Sequence, residues 1–225
     1  SSLDELSLPP LPIEVEEMLE PEGAEELDDS AILRWAGHLV EPHHLVRNVR
    51  RATLEGQDGA ILHTKLAEMW AGRKGPRARR MEAHHRLESG SEIETDWIKD
   101  TVAEIMERDS SAAAVVLDHA IESNPEEGLF ELAVDIALER GETKVASGYI
   151  ESLSDGPRKD MASSRLARAE GDWEKADELE ASAISRLDSE DRVRAEISSL
   201  VRKYDDRVPG TESKIPFETL LSEAD

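Results

Sequence analysis

The chain has 225 residues, no cysteine and a formal net charge of −24. Its length allows one or two domains with a sizeable core, the lack of cysteine excludes disulfides, thiolate metal sites and a cysteine nucleophile, and the acidity opposes non-specific binding to nucleic acid or anionic membranes. Hydrophobic residues make up 38% of the chain but aromatics only 4%, which suits many thin helix–helix contacts better than a thick sheet sandwich.

No apolar run approaches the ~20 residues of a membrane span, and no signal peptide is visible. A cytoplasmic protein is expected, with a leader or anchor ahead of Ser1 left open. The charge is uneven. Residues 1–30 carry eleven acids and no base, whereas residues 31–90 carry eleven bases against six acids.

Residues 1–29, with three closely spaced prolines and many acids, predict a disordered tail or linker, because so little apolar surface cannot offset the entropy of ordering. Residues 30–56 predict a helix pair broken near Glu41-Pro42. From there apolar residues recur at spacings of three and four, and Gly, Pro, Asn or Asp punctuates them. No stretch sustains the alternation of a half-buried strand.

A hairpin pattern repeats along this region. Sliding "EGDWEKADELEASAI" back 30 residues places Gly141 on Gly171, Ala146 on Ala176 and Leu153 on Ala183. A further step of 32 matches Ile98, Val102 and Ile105 to Phe130, Val134 and Ala137, and Ala114 and Leu117 to Ala146 and Tyr149. A step of 36 reaches Leu62, Leu66 and Met69, then Ala78 and Met81. One helix pair cannot bury both of its apolar faces, so neighbours must stack. Residues 189–204, with Val193, Ile197, Leu200 and Tyr204, predict a closing helix. Residues 205–225 form a C-terminal tail, whose "IPFETLL" is a short apolar segment able to dock back on the body.

"AEGDWEKADELEASAI" and "AIESNPEEGLFELAV" resemble the turn, second helix and proline junction of the tetratricopeptide repeat, over roughly residues 57–188. The first-helix Leu-Gly pair of that family is absent, and Asp109 stands where one turn glycine would be. The expected fold is an all-α solenoid of about five antiparallel helix pairs plus a closing helix, spanning 30–204. The resemblance implies a non-catalytic interaction scaffold that holds a peptide or partner helix in a concave groove. Carried onto this register, the groove face comprises His63, Trp70, Lys99, Arg158, Arg165 and Arg168, with the arginines selecting an acidic partner through charge-assisted hydrogen bonds.

Two other constellations stand out. The basic cluster "RKGPRARR" offers Arg73, Lys74, Arg77, Arg79 and Arg80 as an anionic-partner patch, or as a face neutralised by the acidic N-terminus. Nucleic acid is not the expected ligand, since only Trp70 is near enough to stack on a base. The tetrads Glu41-Pro42-His43-His44 and Glu82-Ala83-His84-His85 pair Glu41 with His44 and Glu82 with His85 at the i, i+3 spacing of helical-bundle metal sites. A metalloprotein or enzyme on those tetrads is the rival reading, and a regulatory domain of a larger polypeptide is a third. The expectation is no metal, no cofactor and no catalysis.

Overall fold

The computed structural model describes residues 1–54 and 56–205. Helices carry most of them, and the fold is predominantly all-α. The chain divides into two compact units, Ser1–Arg140 and Gly141–Asp225. Among the described residues no helix is long and apolar enough to cross a membrane.

The first unit opens with α1 (Ser2–Ser7), β1 (Ile13–Glu14), a 3-10 turn (Val15–Glu17) and α2 (Gly23–Asp29). A hairpin of β2 (Leu33–Ala36) and β3 (Leu39–Pro42) precedes α3 (His44–Thr53). Five longer helices follow, α4 (Gln57–Ala71), α5 (Pro76–Glu88), α6 (Thr95–Met106), α7 (Ser110–Ser123) and α8 (Glu127–Glu139). The second unit holds α9 (Thr143–Glu151), α10 (Pro157–Ala169), α11 (Trp173–Ser185) and α12 (Ser189–Asp205).

Helices α4 and α5, α6 and α7, and α10 and α11 pack as hairpins. Pro76 and Pro157 stand at the first turns of α5 and α10, where the missing N–H costs no hydrogen bond. Gly141 and Gly171 turn the chain at φ 73° and 84°, in the left-handed region that favours glycine. The aligned positions Leu66, Val102 and Val134 are buried in first helices, and Met81, Leu117, Ala146 and Ala176 in second helices. Two positions shift by one residue. Ala113 rather than Ala114 is fully buried in α7, and Leu129 rather than Phe130 in α8.

The N-terminal segment differs from the disordered tail expected of it. Leu6, Leu8, Ile13 and Met18 are buried in one cluster with Val40, Leu66, Trp70 and Met81. The apolar residues are few but fall on one side, and the acids between them meet the arginines of the middle segment. Asp4 pairs with Arg50, and the Arg51 guanidinium donates to the carbonyls of Ser7, Leu8 and Pro9. Glu5 is buried and accepts from the main-chain N–H groups of Leu19 and Glu20.

Residues 30–42 also differ, forming strands rather than the first helix of a pair. In the antiparallel order β1-β3-β2, Ile13 lies opposite Val40 and Trp35 opposite Val40 on the other side. Gly37, at φ 67°, allows the two-residue turn between Ala36 and Leu39. The stretch "LRWAGHLVEP" alternates for only four residues on each side of that turn, which is too short for the alternation to stand out. The C-terminal docking segment lies outside the described residues.

Candidate functional site

The residues expected to face a groove differ in their surroundings. His63 and Trp70 are buried, and Trp70 belongs to the core that seats the N-terminal segment. The spacing of 63, 66 and 70 puts all three on the inner stripe of α4, facing α5. This corrects the groove register at those two positions. Lys99 is half exposed beside Asp96 at 3.6 Å. In the second unit Arg158 is exposed and Arg165 half-buried, and Arg168 is committed to Glu180 and Asp177 at 2.5 and 2.9 Å.

The basic cluster is largely occupied within the chain. Arg77 holds Glu17 at 2.9 Å and donates to the Pro12 carbonyl. Arg73 donates to the Glu16 carbonyl and lies over the Trp70 ring. Arg79 bridges Glu82 and Glu104. Burial raises the Glu17 carboxyl, but its bonds from Arg77 and from the Glu14 N–H prevail and hold it below the usual range. Lys74 remains exposed and Arg80 half-buried.

The tetrads do not converge either. Glu41 pairs with Arg34 and Arg47 near the hairpin, and Glu82 is buried between Arg79 and Arg86. Of Glu41, His44, Glu82 and His85, only His85 joins a group that could hold a metal among the described residues.

That group is the densest chemistry in the first unit, and it gathers four of the chain's seven histidines. The inner stripes of α4 and α5 run apolar through Leu66, Trp70, Ala78 and Met81, then end on imidazoles at His63 and His85. The two Nδ1 atoms lie 2.9 Å apart, so one donates and the other accepts. His84, next on α5, has its ring 5.0 Å from His85 and 5.8 Å from His63. Its Nε2 lies 3.1 Å from the Leu8 carbonyl oxygen, which only accepts, so Nε2 carries the proton and Nδ1 keeps a lone pair. On the outer side His119 of α7 approaches His84 ring to ring at 6.3 Å and Glu88 at 3.8 Å.

Burial lowers all three inner imidazoles. His63 falls below its ordinary value, His84 to about 3 and His85 to about 2, so each is neutral at physiological pH. The His85 Nε2 atom is buried without a hydrogen-bond partner. A cavity of about 240 Å³ opens beside the cluster, lined by Arg51, His63, His84 and Glu88 among others. Neutral imidazoles with inward lone pairs can share a proton or ligate a metal ion. His63, His119 and Glu88 were not part of the sequence-derived metal reading, and only the doublet His84-His85 followed by Glu88 hinted at the site.

Comparison with family models, with curated proteins and with solved structures gives no match.

Proposed function

We propose that this chain is a non-catalytic protein–protein interaction module, and that it receives an apolar helix of a partner on α12. The observation that carries this reading is the apolar ridge that this helix leaves exposed. Val193, Ile197 and Val201 are 52%, 53% and 56% exposed, whereas Ser199 on the opposite face is 6% exposed. Covering the exposed part of these side chains stabilises by about 25 cal/mol per Å² of apolar surface. The i, i+4, i+8 spacing forms a ridge of the kind that enters the groove of another helix, which makes the fitting partner helical.

The test replaces Ile197 in the full chain with a photo-crosslinking residue and identifies the adduct by mass spectrometry. The expected product joins one defined polypeptide, through a segment that gains helicity when mixed with the purified chain. The doubly substituted Val193→Glu/Val201→Glu chain should lose the adduct. Adducts confined to residues 206–225 of the same chain, or to a second copy of it, would overturn the reading.

A further inference from the structure

We propose that His63, His84 and His85 form a binding site for a borderline divalent transition-metal ion of the zinc class, with its open coordination position facing the cavity beside Glu88. This inference stands independently of the role given to α12.

The donor set fits such an ion. The ligand atoms of the three residues lie within 4.8 Å of one another. Two imidazole nitrogens on one ion, each at about 2.0–2.1 Å, stand about 2.9–3.4 Å apart, and the His63 and His85 Nδ1 atoms are already at 2.9 Å. The third donor is oriented by the main chain, since the Leu8 carbonyl holds the His84 Nε2 proton and leaves Nδ1 for the metal. Imidazole selects zinc, cobalt, nickel or copper over magnesium and calcium, which require oxygen ligands.

The buried Nε2 of His85 has no partner in either direction of the Nδ1–Nδ1 bond, and it would carry the ring proton with a metal on Nδ1. Coordination through Nδ1 of both rings would replace the one hydrogen bond they share with two bonds to the ion. The site is built on the α4–α5 hairpin rather than on loops, which fixes its ligands.

Opposite charges flank the site. Arg51 lines the same cavity and repels a cation, with its guanidinium held in place by three main-chain carbonyls. Glu88 supplies the opposing carboxylate at the cavity, with His119 against it at 3.8 Å. The open position therefore suits water or a small anion lying between Arg51 and the ion.

The experiment uses the full chain, stripped with chelator and titrated with Zn(II) by calorimetry and with Co(II) by visible absorption. One ion per chain is expected, with a ligand-field band for Co(II) and no saturable binding of Mg(II) or Ca(II). His63→Gln and His85→Gln should each weaken Zn(II) at least ~tenfold, while His43→Gln/His44→Gln should leave it unchanged. Should either buried variant fail to fold, imidazole nitrogen resonances of the unaltered chain decide the matter. Zn(II) is expected to shift the rings of His63, His84 and His85. Shifts confined to His38, His43 and His44, or no saturable binding at all, would overturn the proposal.

Discussion

Arg168 and Glu180 meet at 2.5 Å in the α10–α11 hairpin, at side chains only 10% and 2% exposed. In the preceding copy of the repeat, 30 residues earlier, the same places hold Leu138 and Ile150. The Arg168–Glu180 pair is completed by Asp177 at 2.9 Å, so two carboxylates share one guanidinium. Breaking a buried pair from one side leaves a charge without compensation, at about 3–5 kcal/mol. Glu180→Ala should fall at the lower end of that range, because Asp177 still faces Arg168. The double replacement Arg168→Leu/Glu180→Ile, which restores the earlier copy's residues, should be neutral or stabilising by about 1–4 kcal/mol. Urea unfolding followed by hydrogen exchange in α10 and α11 measures both, and a double variant weaker than Glu180→Ala would refute the argument.

The buried histidines give stability a pH dependence of definite sign. His84 is held near 3 and His85 near 2, with His63 also lowered, all by burial first and then by repulsion within the cluster or from Arg51. The unfolded imidazoles titrate near 6.5, so below that pH the unfolded chain binds protons that the folded chain refuses. Stability is therefore complete above about pH 6.5 and falls as pH drops from there toward 3. Glu88 opposes the trend at His63, while His119 reinforces it there and at His84. The denaturant midpoint of the metal-stripped chain should be lower at pH 5.0 than at pH 7.5. The loss should shrink in His84→Gln, whose neutral amide does not titrate.

The helical part of this fold is legible in the sequence because its signals are local and repeated. Gly141 and Gly171 mark turns, Pro76 and Pro157 mark starts, and the aligned alanines mark close crossings. What escapes sequence reading depends on distant partners. Residues 1–29 look disordered until Leu6, Leu8 and Ile13 are set against Leu66, Trp70 and Met81, across some sixty residues of chain. The histidine cluster escapes for the same reason, since His63 and His85 sit 22 residues apart on facing helices and share no motif. The arginine cluster is conspicuous in the sequence, yet much of it faces inward to Glu16, Glu17 and Pro12.

The ordering of the N-terminal segment makes its apolar residues costly to lose. Ile13→Ala and Leu6→Ala each delete a buried aliphatic side chain and should destabilise the first unit by about 2–5 kcal/mol. Changes in a disordered tail would leave stability unaltered. Hydrogen exchange offers a second readout, because the Leu19 and Glu20 amides donate to the buried Glu5 carboxylate and should be protected. Arg77→Ala should speed that exchange by loosening Glu17 from its bond. Fast exchange throughout residues 1–20 of the unaltered chain would remove the basis of this prediction.

The crossing of α10 and α11 depends on a small residue and one hydroxyl. Ala176 and Ala162 are fully buried, and Ser164 Oγ donates to the Ala176 carbonyl at 2.7 Å across the helix pair. Any longer side chain at 176 must enter packed space, so Ala176→Leu should cost about 1–3 kcal/mol through forced rotamers and a parting of the helices. Ser164→Ala removes a buried hydrogen bond and leaves the Ala176 carbonyl its helical partner, so its cost should be nearer 0.5–1.5 kcal/mol. The contrast distinguishes tight packing from polar bonding as the main support of the hairpin. Near-equal losses in thermal unfolding of the two variants would assign that support to the hydroxyl instead.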